Sequence, residues 1–148
     1  MKLVIQRVSR ARVGVEEKTV SEIGPGALIL LGVARGDTPA DAEWLAGKVS
    51  RLRIYDDPRG RLNHSIAETG GSYLVVSQFT LFGDCSKGNR PSYIQAADPD
   101  DAAALYDLFV EKLRALGHTV RTGVFREHMD VELVNDGPVT LLMESCGR

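Results

Sequence analysis

Apolar and polar residues partly alternate over Lys2 to Val15, with many β-branched side chains, and this period of two predicts a strand. Lys18 to Ile23 pairs with it as a predicted hairpin, turning near Glu16-Glu17. Gly24-Pro25-Gly26 is turn chemistry, and the apolar run from Ala27 to Val33 has the pattern of a buried strand. Thr38-Pro39-Ala40-Asp41 opens a helix, with threonine as N-cap, proline at the first helical position and an acid at the third. Leu45, Val49 and Leu52 follow at helical spacing, with Trp44 beside them. Arg53 to Tyr55 predicts a short strand and Asp57-Pro58-Arg59-Gly60 a turn. Ser72 to Leu81 predicts a central strand that becomes polar at its end, and Gly83 to Pro91 a loop. Asp98-Pro99-Asp100-Asp101 starts a second helix with the stripe Leu105, Leu108, Phe109, Leu113 and Leu116, and Gly117 stops it. Thr119 to Phe125, Val131 to Val134 and Val139 to Met143 read as three strands, the last two flanking Asn135-Asp136-Gly137-Pro138.

Strands outnumber helices and hairpins outnumber crossovers. The predicted fold is mixed α/β, with a largely antiparallel sheet system, barrel-like or two stacked sheets, and two helices packed on one face. The length of 148 residues, without repeat or linker, predicts a single domain over residues 1–148.

Charge narrows the partners. Twenty acidic residues against 18 basic ones give a net charge of −2, which argues against a strongly basic nucleic-acid binder, and DNA is not an expected partner. A local basic patch on such a chain is still compatible with an RNA acceptor stem. Cys85 and Cys146 stand alone, and His64, His118 and His128 lack metal-ligand spacing, so no metal and no cofactor is expected. The first residues are soon interrupted by polar ones, and no apolar run approaches the roughly 18 residues of a membrane span. The expected location is cytoplasmic, where isolated thiols stay reduced.

Two short segments draw attention as chemistry. Ser77-Gln78-Phe79-Thr80 is a polar cluster where an apolar strand ends. Its hydroxyls and amides would suit a reacting carbonyl, and an ordinary capped strand end has the same composition. No Ser-His-Asp arrangement and no Gly-x-Ser-x-Gly elbow accompanies it. Asn135-Asp136-Gly137-Pro138 reads as a hairpin turn, since Asp-Gly is a strong hairpin signal and proline at a strand start costs no needed donor. With a cis Gly-Pro bond, the Gly137 and Pro138 carbonyls would instead form a fixed acceptor pair suited to an ammonium group. Lys87 to Pro91 is a basic loop able to meet phosphate, or simply a solvated one. Arg7 lies in a strand-like run, where a charge needs a partner if buried.

Taken as a pair, Ser77-Gln78-Phe79-Thr80-Leu81 and Asn135-Asp136-Gly137-Pro138-Val139-Thr140 resemble the two signature motifs of the D-aminoacyl-tRNA deacylases. Leu31-Gly32-Val33, Asp41 to Ala46, Leu74 to Leu81, Gly88 to Ser92 and Leu105 to Val110 resemble the family at the expected places. The resemblance implies a homodimer with the site at the subunit interface, acting on the acceptor end of aminoacyl-tRNA. It implies hydrolysis of the ester that joins a D-amino acid, or glycine, to the terminal adenosine. Gly137 and Pro138 would be the cis pair that enters the partner's pocket, binds the α-amino group and leaves no room for an L side chain. Arg7 would brace this element, with Asn135 and Met129 in support. Phe79 and its neighbours would supply amides near the scissile carbonyl. Thr80 is either a nucleophile or a positioning residue; in the preferred reading the tRNA 2′-hydroxyl and a water do the chemistry. One departure stands out: the family usually has small residues between Phe125 and Met129, where this chain has Arg126, Glu127 and His128. Two other functions fit the same residues, a non-catalytic tRNA-binding module and a serine esterase for small acyl groups acting through Ser77.

Overall fold

A computed structural model describes residues 1–145 and gathers them around one long strand, β1 (Lys2–Val15). Its N-terminal half pairs along one edge with β3 (Gly26–Gly32) and its C-terminal half with β2 (Lys18–Ile23), both antiparallel. The β1–β2 turn puts Glu16 and Glu17 at φ 48 and 64, the paired positive angles of a tight hairpin. The other edge of β1 pairs with β8 (Asp130–Glu144). Beyond β3 the sheet continues in parallel through β6 (Ser72–Ser77) and β7 (Val120–Thr122). Ser21 Oγ on β2 donates to the Thr122 carbonyl on β7 at 2.6 Å, so the six-stranded sheet curls towards closure. A separate antiparallel pair consists of β4 (Arg53–Asp56) and β5 (Leu62–Ser65). The helices are α1 (Pro39–Val49), the single turn α2 (Ile66–Thr69) and α3 (Pro99–Ala115).

Alternation on β3 builds two cores. Ala27, Ile29 and Leu31 pack with α1 and α3, whereas Leu28 and Leu30 face the inside of the curl with Val8, Val13, Leu74 and Val76. Phe109 and Leu113 of α3 are fully buried, and truncating Phe109 to alanine would cost about 3–5 kcal/mol. The start of α1 follows its sequence signal: the Asp41 carboxylate accepts from the Thr38 amide at 2.8 Å and from its hydroxyl at 2.7 Å.

Four segments differ from the sequence expectation. The strand predicted to run to Leu81 ends at Ser77; the Gln78 amide reaches the Leu31 carbonyl at 2.7 Å, and the chain then coils into a 3-10 turn over Phe79–Phe82. The strand predicted over Thr119 to Phe125 pairs only from Val120 to Thr122, because the chain turns at Val124–Glu127 with Arg126 at φ 67. A third helix, α2, and its neighbour β5 stand where none was expected. The two strands expected around Asn135-Asp136-Gly137-Pro138 are one. Residues 130–135 and 140–144 both pair with β1 rather than with each other, so this segment is an excursion within β8 and not a hairpin turn. Cys146 lies outside the described residues.

Candidate active site

Ser77, Gln78 and Phe79 line a cavity of about 520 Å³. Its walls are the strand end of β6, the start of α3 with Pro99, Ala102 and Tyr106, and the turn from Phe125 to Met129. Close backbone approach fixes the strand end: a side chain at Gly32 would bring its Cβ within 2.9 Å of the Gln78 carbonyl oxygen. Phe79 is 58% exposed and stacks edge-on against Tyr93, with ring centroids 5.1 Å apart. The Gln78 side-chain amide donates to the Thr80 hydroxyl, which is exposed beside the cavity.

The main chain here is the chemically notable part. At the start of the 3-10 turn, the Phe79 and Thr80 amides donate to no acceptor among the described residues. First-turn amides have no partner within their own helix, and they carry partial positive charge. Phe79 lines the cavity and Thr80, which does not, follows it directly; two such neighbouring donors suit an oxygen that gains negative charge.

Met129 closes the inner wall, and its thioether sulfur accepts from the Val124 amide at 3.3 Å. It also packs over Gly123, where an added Cβ would meet the sulfur at 2.7 Å. Arg126, Glu127 and His128, the unusual triplet, form the cavity rim. The other histidines are elsewhere. His64 faces Glu68 at 3.4 Å, and His118 sits edge-on to Tyr73, where burial holds its imidazole below the ordinary value. Among the described residues, no three His, Cys, Asp or Glu side chains gather as metal ligands, and no helix is long and apolar enough to cross a membrane.

The second motif is built as carefully, in a different place. Arg7 is 7% exposed and serves as its hub. Its Nε donates to the Asp136 carbonyl at 3.0 Å and its Nη1 to the Ile54 carbonyl at 2.7 Å, with the Asp136 and Asp56 carboxylates at 3.3 and 3.4 Å. The guanidinium lies 5.9 Å from the Tyr55 ring centre, and burial pushes the Tyr55 phenol up to about 12. Asn135 closes the excursion from inside, its Nδ2 donating to the Arg7 carbonyl at 2.9 Å and the Val139 carbonyl at 3.0 Å. Gly137 has φ 130, and the Gly137-Pro138 peptide is cis. Both residues are exposed.

Within one chain the two motifs do not share a cavity. Ser77 pairs with Leu31, and Leu31 with Leu3, four residues along β1 from Arg7. That offset is about 13 Å along the strands, before the strand-to-strand spacing is added. Sequence reasoning missed Ile54, Tyr55 and Asp56 as partners of Arg7, because no local pattern links positions so far apart.

The chain is a curled-sheet α/β protein in which two neighbouring main-chain amides, unpaired among the described residues, stand at the mouth of a strand end beside a cavity, and a buried arginine braces an exposed turn. The chain belongs to the D-Tyr-tRNA(Tyr) deacylase family, whose model matches residues 4–144. It is 57% identical over 145 residues to the D-aminoacyl-tRNA deacylase of Thermotoga petrophila, covering 98% of this chain and 97% of that one. With the D-aminoacyl-tRNA deacylase of Geobacter sulfurreducens it shares 54% identity over 148 residues, 100% of this chain and 97% of the relative. Among solved structures it resembles a c-Myc DNA Unwinding Element Binding Protein, at 37% identity and a TM-score of 0.91, over 97% of this chain and 98% of that one.

Proposed function

We propose that this chain hydrolyses the ester of D-aminoacyl-tRNA, and glycyl-tRNA with it, to free amino acid and tRNA. The unpaired Phe79 and Thr80 amides are the observation that supports this reading most. They bind the carbonyl oxygen as it takes on charge in the tetrahedral intermediate. A water, assisted by the vicinal 2′-hydroxyl of the terminal ribose, adds to the carbonyl carbon. The bond from that carbon to the ribose 3′-oxygen then breaks, and the departing oxygen takes up a proton. No side-chain nucleophile is needed. Ser77 and Gln78 shape the strand end, Gln78 holds the Thr80 hydroxyl, and Met129 fills the inner wall.

Selection for the D form is assigned to Gly137 and Pro138 of a partner subunit. Their carbonyls accept from the α-ammonium group. With the ammonium and the ester carbonyl both fixed, the side chain has one direction left, and for the L form that direction is blocked by backbone. A homodimer brings this turn to the cavity that a single chain leaves incomplete. The exposed apolar Leu142 on β8 supports such an interface. Arg7 and Asn135 hold the turn in shape. The whole chain acts as one domain, in the cytoplasm where charged tRNA is found, and double-stranded DNA is not the proposed partner.

Purified protein should release D-tyrosine from D-tyrosyl-tRNA and remain unlabelled by a serine-directed phosphonate. Binding of charged tRNA without turnover would make it a tRNA-binding module, and labelling at Ser77 a serine esterase.

A further inference from the structure

The β4–β5 hairpin concentrates arginine that neither the cavity nor the core uses. From Arg51 to Arg61, four arginines stand against two aspartates, in a chain whose net charge is −2. Arg51, Arg53, Arg59 and Arg61 are exposed, and their guanidinium groups make no hydrogen bond or ion pair among the described residues. Ile54 points inward and is buried, so Arg53 beside it points out. Neither aspartate pairs with these guanidinium groups among the described residues. Asp56 faces Arg7 at 3.4 Å. Asp57 holds the tip together, accepting from the amides of Arg59 at 2.8 Å and Arg61 at 3.0 Å and from Asn63 Nδ2 at 2.7 Å. Those bonds keep its carboxyl below the ordinary range, so the turn that carries Arg59 and Arg61 stays tied near neutral pH. The tip is therefore an ordered turn with free cationic ends.

Its position matters as much as its charge. Arg7 donates to the Ile54 carbonyl of β4 and to the Asp136 carbonyl next to Gly137. One buried side chain thus ties the arginine hairpin to the Gly137-Pro138 turn, and whatever cavity that turn reaches, the hairpin arrives beside it.

We infer that the β4–β5 hairpin grips the phosphate backbone of the tRNA acceptor stem. This rests on the tRNA-ester reading above and adds the surface that holds the nucleic acid. Guanidinium forks match phosphate geometry and carry no sequence information. Such a grip accepts many tRNAs, as an enzyme that selects chirality rather than one amino acid requires.

The test compares the wild-type protein, Arg59→Gln/Arg61→Gln and the charge-keeping Arg59→Lys/Arg61→Lys. Binding of uncharged tRNA is measured across a salt series, and hydrolysis is measured on D-tyrosyl-tRNA and on D-tyrosyl-adenosine, which has no phosphate. The glutamine pair should flatten the plot of log binding constant against log salt by about 2. It should also lower the ratio of kcat/KM on tRNA to that on the adenosine ester by roughly tenfold or more. The lysine pair should restore most of the slope. An unchanged slope, equal losses on both esters, or lysine variants as defective as glutamine ones would overturn the inference. Wild-type protein that cleaves neither ester would end the deacylase reading instead, while the binding series would still decide the role of the hairpin.

Discussion

Arg7 Nε donates to the main-chain carbonyl of Asp136 at 3.0 Å, one residue before Gly137. The contact crosses from β1 to the excursion in β8, and Nη1 of the same guanidinium reaches the Ile54 carbonyl at 2.7 Å. Lysine has one compact charge and cannot hold both carbonyls in a fixed fork. Arg7→Lys should lose about 1–3 kcal/mol of stability, as buried acceptors go unpaired. Little of that belongs to Asp56 and Asp136, whose carboxylates are half-exposed and screened. The informative readout is selectivity: the variant should cleave L-tyrosyl-tRNA measurably while still folded by circular dichroism.

If the Phe79 and Thr80 amides stabilise the oxyanion, main-chain changes should matter more than side-chain ones. Phe79 opens the 3-10 turn and its amide has no acceptor among the described residues, so proline there removes a donor without breaking an internal bond. Phe79→Pro should lower kcat by about 100- to 1,000-fold. Thr80→Val keeps the amide and should stay within about tenfold, or 1.4 kcal/mol. A Thr80→Val loss as deep as that of Phe79→Pro would make the hydroxyl a chemical participant.

Leu142 is 80% exposed on the outer face of β8, beside the Lys2–Glu144 ion pair. A charge there should oppose association of two copies. If the proposed homodimer forms, Leu142→Asp should sediment as a monomer at concentrations where the wild-type chain sediments as a dimer. Its activity should recover on concentrating the protein, by mass action. A variant that stays monomeric and fully active would place the whole site within one chain.

The His118 imidazole is held below its ordinary value by burial against Tyr73. The folded state therefore resists a proton that the unfolded chain accepts. Its stabilising contribution is complete above the unfolded value of about 6.5 and is lost as pH falls below it. Between about pH 7 and pH 5, the Tm of the wild-type protein should fall more than that of His118→Phe. Equal slopes would mean that His118 is solvated.

What the sequence revealed was local. The β1–β2 hairpin and both long helices follow from period, turn residues and caps within a few positions, and the structure keeps them nearly to the residue. Pairings that arise only in three dimensions were hidden. Val131–Val134 and Val139–Met143 look like two strands because a glycine and a proline lie between them, yet β1 templates both into one. The strand end at Ser77 depends on the distant Leu31 carbonyl. One local signal was overlooked: Ser65-Ile66-Ala67-Glu68 is a capping box, and the Glu68 carboxylate accepts from the Ser65 amide at 2.6 Å. Of the site, the polar strand end and the Gly-Pro turn were legible as segments. Their separation within the chain, and the brace from Arg7 to the β4–β5 hairpin, were not.

The most direct measurement is hydrolysis of D-tyrosyl-tRNA and L-tyrosyl-tRNA, prepared on the same tRNA, by the purified wild-type protein. D-tyrosine should be released at rates well above spontaneous hydrolysis, with the L-ester left intact at the same enzyme concentration. Equal cleavage of the two esters, or none of the D-ester with enzyme in excess, would contradict the proposed function.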